Sequence, residues 1–315
     1  MKKAIVVGSS GQDGSYLVEY LGAHGYAVVG VDRGSRSGPL CDVQLINIQD
    51  KSQVSSLLSS CKPDEVYYLA AFHHSSEDIP LNDVEVIQQS FEINTLALNN
   101  FLHAIATRLP NSRLFYAASS HVFGDPPHNI QNENTPLNPI DAYGISKTAG
   151  LHLCRHYRKN LKVYCSVGIL YNHESPRRSV SFVSQKVVRA AVRISRNMQE
   201  KLVIGDLEAR VDWGYAPDYV DAMWRILQLD EPDDFVTASG TLHSIRDLLQ
   251  TAFESLGLDW TAHVEVDPTL ARKQRTSVLQ GDSALLKSRT GWRPQTSFRE
   301  MIMEMVKAEL KNETR

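Results

Sequence analysis

Three glycines near the start of the chain constrain its fold more than any other feature. The run Gly8-Ser9-Ser10-Gly11-Gln12-Asp13-Gly14 stands between a short apolar stretch, Ala4 to Val7, and an amphipathic one, Gln12 to His24. The first reads as a buried strand and the second as a helix. Glycines at that junction permit a tight turn and bring backbone amides close to a pyrophosphate, while the helix N-terminus adds partial positive charge. The spacing is GxxGxxG, one residue off the GxGxxG fingerprint, and such a run by itself is often only a turn. Its place inside a strand–turn–helix unit makes it a dinucleotide site, with Gly8, Gly11, Gln12, Asp13 and Gly14 expected against the cofactor.

A second strand, Ala27 to Val31, ends in Asp32. A carboxylate there accepts both hydroxyls of an adenosine ribose and repels a 2′-phosphate, which predicts NAD rather than NADP. Arg33, followed by Ser35 and Arg36, offers the competing possibility of a phosphate grip. Further strands are expected at Glu65 to Leu69, Leu114 to Ala117 and Lys162 to Ile169, with helices over Leu81 to Leu109 and Ala142 to Lys159. This alternation predicts an α/β fold, a Rossmann-type doubly wound parallel sheet with a smaller C-terminal substrate lobe. Residues 1–171 form the expected dinucleotide-binding domain. Residues 172–315 form mainly the lobe, partly interleaved with that domain. In the second part the patterning predicts a polar turn over Asn172 to Ser179 and a strand at Leu202 to Ile204. Helices are expected over Phe182 to Asn197, Asp218 to Leu229, Ser244 to Leu256 and Phe298 to Leu310.

Charge and composition exclude several functions. Lys plus Arg number 33 against 36 acidic residues, a net charge of −3, so nothing favours nucleic acid as a partner. No apolar run is long enough to cross a bilayer, and no secretory leader is expected from Met1-Lys2-Lys3-Ala4. The four cysteines, Cys41, Cys61, Cys154 and Cys165, form no CxxC pair and no metal-ligand spacing. They predict reduced, mostly buried thiols in a cytoplasmic protein without a metal.

Tyr143-Gly144-Ile145-Ser146-Lys147 places a phenol and an ammonium four residues apart, on one helix face. The ammonium lowers the cost of forming phenolate, so Tyr143 can take the proton of a sugar hydroxyl as hydride leaves. Lys147 is also placed to hydrogen-bond the nicotinamide ribose. Upstream, Ala117-Ala118-Ser119-Ser120-His121-Val122-Phe123-Gly124 ends a strand at the carboxyl edge of the sheet, where ligands bind in such folds. Ser119 is the hydroxyl expected to hydrogen-bond the reacting oxygen.

With these pieces in place the chain resembles the extended short-chain dehydrogenase/reductases, and more narrowly the GDP-mannose 4,6-dehydratase family. The likeness covers nearly the whole chain. It shows in GQDGSYL (Gly11 to Leu17), GILYNHESPRR (Gly168 to Arg178), DWGYAPDYVDAMW (Asp212 to Trp224) and GWRPQTSF (Gly291 to Phe298). The resemblance implies oxidation of a hexose at C4, loss of water across C5 and C6, and return of hydride to C6, with a GDP-linked sugar as substrate. It implies that the cofactor site extends to Asn47, Ile48, Leu69, Ala70 and Ala71. The substrate site would comprise His73, His74, Ser120, Asn172, Arg178, Val183, Lys186, Arg210 and Arg272. In the dehydratases an Arg- and Ser-rich loop helps bind NADP and build a tetramer; the loop after Asp32 is short beside it, so NAD and a homodimer are expected here, with a tetramer as the alternative.

The chain departs from that family at one chemical position. The dehydratases carry a Glu where this chain has His121, and imidazole is an acid and base in its own right near neutral pH. Two outcomes therefore stand open: a dehydratase working through His121, or a C4 dehydrogenase, ketoreductase or epimerase that keeps the C6 hydroxyl. A non-catalytic nucleotide sensor is a third reading, against which Ser119, Tyr143 and Lys147 are all present. Two further departures, Val211 after Arg210 and the run Arg272-Lys273-Gln274-Arg275, fall in the substrate lobe.

Overall fold

The computed structural model describes residues 1–34, 41–73, 81–270 and 278–313. The chain begins with β1 (Lys3–Val7), α1 (Gln12–Ala23), β2 (Ala27–Asp32), β3 (Asp42–Leu45), α2 (Lys51–Cys61) and β4 (Glu65–Tyr68). Helices α3 (Asp83–Phe91) and α4 (Leu98–Arg108) are joined by a π-helical stretch, Glu92–Ala97, and β5 (Arg113–Ser119) follows. Next come β6 (Ile130–Gln131), α5 (Ala142–Leu161), β7 (Cys165–Leu170), β8 (Asn172–Glu174), α6 (Val183–Ser195), β9 (Leu202–Ile204) and β10 (Arg210–Tyr215). The last part holds α7 (Ala216–Gln228), β11 (Asp234–Thr237), β12 (Leu242–Ser244), α8 (Ile245–Glu254) and β13 (Val264–Val266). It ends with β14 (Gln280–Gly281), α9 (Ala284–Thr290) and α10 (Phe298–Asn312).

Seven strands form one parallel sheet in the order β11-β7-β5-β4-β1-β2-β3. The order reverses between β1 and β4, which opens a crevice at their carboxyl ends. Alternation along β1 shows why both faces are covered: Ile5 and Val7 point into one core, Ala4 and Val6 into the other. The first core is closed by Val54, Leu57 and Leu58 of α2, Phe101, Leu102 and Ile105 of α4, and Leu151 of α5. Leu17 and Leu21 of α1 and Val220, Met223 and Ile226 of α7 close the second. A third core, built from α6, α8 and α10, belongs to the lobe.

The helix starts follow local chemistry. Asn82 with Glu85, Ser244 with Asp247 and Ser297 with Glu300 form reciprocal capping boxes, and Asp50 caps α2. The structure corrects the expected pattern at several places. Asn172 to Ser179 is not wholly a turn: Asn172–Glu174 pair in parallel with Trp213–Tyr215. The strand expected from Lys162 begins at Cys165, because Lys162 takes a left-handed conformation (φ 56°) and stops α5. Strands β3, β10 and β11 and helices α2 and α9 lie where no element was expected. Each strand is too short, or too mixed in polarity, to announce itself. Both α7 and β11 pack on the large sheet, so the chain returns to it after residue 172.

The return is pinned by Asp212 on β10, which is almost fully buried. Its carboxylate accepts from Ser239 N (2.9 Å), Ser239 Oγ (2.6 Å), Gly240 N (3.0 Å) and Gly281 N (3.1 Å). Asp212→Ala strands three backbone amides and is expected to cost about 3 kcal/mol or more, with Asp212→Asn intermediate. Urea unfolding measures this; equal midpoints for Asp212→Ala and the parent chain would show that the amides find other acceptors.

Candidate active site

The glycine turn sits at the crevice because no side chain fits there. Gly8 has φ +87°, and a Cβ on it would stand 2.9 Å from Ala70 N; one on Gly14 would overlap the Gly8 carbonyl. α1 therefore starts directly against the end of β1, and Ala70, after β4, completes the wall. Ser10 Oγ is buried with no protein hydrogen-bond partner. A pyrophosphate offers such a hydroxyl an acceptor, so the cradle fits a dinucleotide.

Asp32 ends β2 as expected, yet both its oxygens hold backbone: Oδ2 accepts from Ser10 N (2.9 Å) and Oδ1 from Arg33 N (2.7 Å). The carboxylate thus ties the glycine turn to the neighbouring strand and keeps lone pairs for a ribose. Arg33 is exposed. Asn47 and Ile48 form the turn after β3: Asn47 Oδ1 accepts from Gln49 N (3.0 Å), and the Ile48 carbonyl from Asn100 Nδ2 (3.1 Å). Leu69 continues the β4 register, donating to the Val7 carbonyl (2.9 Å), and Ala71 is exposed beyond it.

Gln12 and Asp13 turn inward rather than along the loop. Asp13 Oδ2 lies 2.8 Å from His173 Nε2, while His173 Nδ1 lies 2.7 Å from the Tyr171 carbonyl. Both partners are acceptors, so the imidazole donates from both nitrogens and is cationic. Burial opposes the charge on each, but the partner outweighs it: His173 is raised above its ordinary value and Asp13 lowered. Gln12 bridges the same joint, donating to the His173 carbonyl (3.1 Å) and accepting from Ser175 Oγ (2.8 Å).

Ser119 ends β5, and Tyr143 and Lys147 lie on the first turns of α5. Tyr143 is half-buried, and the Ser119 hydroxyl at the end of β5 is near enough to favour its phenolate. Desolvation pushes the phenol up to about 12; the Ser119 hydroxyl and the Arg178 charge pull the other way, and Asp13 and Asp141 oppose them. Lys147 Nζ donates to the Ala117 carbonyl (2.7 Å) and stands 5.6 Å from the Tyr143 ring centre. Burial pulls Lys147 down to about 7, against the Asp13 charge. Arg178 therefore joins the pair as a cation that favours phenolate.

A row of rings lines the mouth beside this pair. His73 meets Tyr143 edge-on at 4.9 Å and stacks on Phe182 at 5.5 Å; His121 meets Tyr143 edge-on at 5.5 Å. The Arg178 guanidinium lies 3.5 Å over Phe182, and its Nε is 3.1 Å from Glu174 Oε2. The carboxylate and the ring thus hold Arg178 in orientation. Ser120 is buried in the turn after Ser119; Val183 and Lys186 stand on the first turn of α6, and Asn172 opens β8 opposite Trp213. Arg210 is exposed at the opposite end of β10, paired in register with Ser244. His74 and Arg272 lie outside the described residues, as do Ser35 and Arg36.

Sequence reasoning missed two groups. Asn94, on the π-helical stretch and fully buried, accepts from Phe72 N (2.9 Å) and donates to Ser146 Oγ (3.0 Å), so it joins the segment before His73 to α5. No local pattern marks it, though a π-turn often accompanies a site. Asp141 caps α5 and touches His121; a capping Asp two residues before Tyr143 was legible as a helix start and not as anything more. Among the described residues no helix is long and apolar enough to cross a membrane, and no group of His, Cys, Asp or Glu is set to hold a metal. Cys154 and Cys165 are buried, while Cys41 and Cys61 are partly so; all four are free.

The sequence profile of the GDP-mannose 4,6 dehydratases matches residues 5–305. This chain belongs to the GDP-mannose 4,6-dehydratase family. It is thereby an enzyme of the extended short-chain dehydrogenase/reductase class, NAD(P)-dependent enzymes that modify nucleotide sugars. GDP-mannose 4,6 dehydratase 1 of Arabidopsis thaliana is 36% identical over 330 residues, spanning 98% of this chain and 90% of its own length. Among solved structures, dTDP-glucose 4,6-dehydratase of Bacillus anthracis, in complex with NAD, superposes with a TM-score of 0.85 at 17% identity, covering 100% of this chain and 98% of its own. RMD of Pseudomonas aeruginosa, complexed with NADPH, gives 0.84 at 22% identity, covering 99% and 100%. These two share the fold.

The depressed Lys147 fixes a sign for stability. The unfolded chain holds that proton up to the ordinary lysine value of 10.5, the folded chain only to about 7. Between those values the unfolded state binds more protons, so this group makes stability rise with pH. From pH 7 to pH 9 the gain over a Lys147→Met variant is expected to be on the order of 2 kcal/mol. Parallel urea curves for both proteins at the two pH values check it; identical slopes would mean that Lys147 is solvated.

Proposed function

We propose that the enzyme oxidises C4 of a GDP-linked hexose, with Tyr143 as base, Ser119 as hydrogen-bond partner of the reacting oxygen and Lys147 beneath them. The observation that carries this reading is the convergence of three groups: Ser119 at the end of β5, the Tyr143 phenol that it influences, and the buried Lys147 ammonium 5.6 Å from the Tyr143 ring centre. A dinucleotide held by the glycine turn would supply the hydride chemistry, accepting hydride from C4 and giving it back to the sugar. The protein's part is to move the hydroxyl proton. Tyr143 accepts it, the Arg178 charge and the Ser119 hydroxyl favour the phenolate, and Lys147 next to it relays charge. NAD is the preferred dinucleotide, because the Asp32 carboxylate stands where a 2′-phosphate would be repelled. Arg178, with Lys186 near it, is assigned to the diphosphate, since a guanidinium fork pairs well with phosphate oxygens. Asn172 is assigned to the diphosphate beside Arg178 and Lys186, and His73 to the sugar end.

A homodimer is the assembly we infer, with a tetramer as the larger alternative. Exposed Val84 and Ile87 on α3, Leu96 on the π-helical stretch and Ile145 on α5 support a helical interface, which sedimentation reads directly.

Tyr143→Phe is expected to lower turnover of GDP-mannose by about a thousandfold while leaving dinucleotide binding, read by fluorescence or thermal shift, within a few-fold. Undiminished turnover in that variant would remove Tyr143 as the base. Binding that favours NADP over NAD in the parent chain would remove the assignment of Asp32.

A further inference from the structure

Deepening the C4-oxidation reading, and resting on it, we propose that His121 and Asp141 form a carboxylate–imidazole dyad. The dyad carries the proton between C5 and the C6 oxygen of the oxidised sugar, with Asp141 as its positioning residue. His121 lies in the turn that follows β5, and Asp141 is the N-cap of α5. Two contacts fix these segments on each other. Asn138 N donates to the Val122 carbonyl (3.0 Å), and Gly144 packs so closely that a Cβ there would stand 2.5 Å from the His121 carbonyl oxygen. The first turn of α5, which carries Tyr143, is thus pressed against the backbone of His121.

Asp141 divides its two oxygens. Oδ1 accepts from Gly144 N (2.7 Å), capping the helix, and Oδ2 lies 2.9 Å from His121 Nδ1. Held by the cap, the carboxylate presents an acceptor to Nδ1, so Nδ1 carries a proton and Nε2 is the nitrogen at which protons come and go. The ring itself lies beside Tyr143, edge-on at 5.5 Å. Carbons C5 and C6 are one and two bonds from C4, so a group that serves them must flank the group that serves the C4 oxygen. His121 does.

The proton steps balance with His121 as the carrier and solvent as the source of one further proton. With C4 oxidised to a ketone, the adjoining C5–H bond is acidic. Nε2 takes the C5 proton, the electron pair forms the C5–C6 double bond, and the C6–O bond breaks. Nε2–H then protonates the departing oxygen, and one water leaves. After hydride has returned to C6, the ring passes a solvent proton to C5. The sugar has lost one water, and the dinucleotide is restored to its oxidised form.

Asp141→Asn separates this role from that of a helix cap. The amide oxygen still accepts from Gly144 N, but the amide N–H now faces Nδ1 and moves the ring proton to Nε2, which can no longer act as base. The parent chain and Asp141→Asn are compared on GDP-mannose with NAD, and with NADP, in deuterated water. Single-turnover absorbance reads hydride transfer, NMR reads deuterium at C5, and mass reads the product. The parent chain is expected to give a product lighter by one water, with deuterium at C5. In Asp141→Asn the ratio of C5 exchange to hydride transfer is expected to fall about a hundredfold. Nitrogen NMR of the His121 ring is expected to show Nδ1–H in the parent and Nε2–H in the variant, with no substrate present. An Nε2–H ring in the parent overturns the dyad whatever the substrate. Hydride transfer without C5 exchange in the parent overturns the dyad and leaves C4 oxidation standing. No hydride transfer to either dinucleotide overturns C4 oxidation, and the dyad falls with it.

Discussion

The site exists because nothing fits between the end of β1 and the start of α1. With a side chain at Gly14, α1 is forced off the Gly8 carbonyl; with one at Gly8, the wall after β4 at Ala70 is forced away. Either shift opens the crevice at the point where the strand order reverses, between β1 and β4. Everything functional is measured from that point: the amides of the turn, Asp32 at the end of the next strand, and Ser119 at the end of β5 on the other side. A fold of this kind places chemistry by strand ends, and here the strand ends are placed by a contact between two backbones.

The same region carries charges at an energetic disadvantage. Lys147 is almost fully buried with a carbonyl as its hydrogen-bond acceptor, and His173 faces Asp13 beneath the turn. Burial alone disfavours each of these ions. The two cases resolve differently. His173 and Asp13 keep their charges because each compensates the other, and their pairing joins β8 to the first turn of α1. Among the described residues the charge that favours the Lys147 ammonium is that of Asp13, out of hydrogen-bond reach, so its proton is weakly held. A tightly held ion pair and a lysine with a weakly held proton thus sit side by side, and what separates them is whether a counter-ion lies within hydrogen-bond reach.

Much of this was legible in the sequence. The glycine run, Asp32 and the tyrosine–lysine spacing each carry a local signature, and each lies where that signature places it. The signals work because they are short in range: turn, strand end and one helix face. The strand at Asn172–Glu174 was not legible, because three polar residues form a strand only by pairing with Trp213–Tyr215, forty residues later. Asn94 was hidden for the same reason. Its partners, Phe72 and Ser146, lie on either side of it in sequence and come together only when the π-helical stretch packs on α5. Arg178 was picked out as a phosphate ligand from its motif, and its influence on the Tyr143 phenol appears only once the lobe is folded over the sheet.

Asp141 shows how a cap and a chemical group become one residue. A helix needs an acceptor at its N-terminus, and a carboxylate serves best because it also answers the partial positive charge there. One oxygen suffices for the cap, which leaves the second held in a fixed direction without further ordering. Any imidazole brought to that second oxygen has its tautomer set by an interaction the helix requires in any case. His121 is brought there by the same close packing that seats Tyr143, since Gly144 admits the His121 carbonyl against the first turn. The Tyr143 phenol, proposed as the base at C4, and the imidazole beside it are therefore positioned by one helix end, and a change that loosened α5 would displace both together.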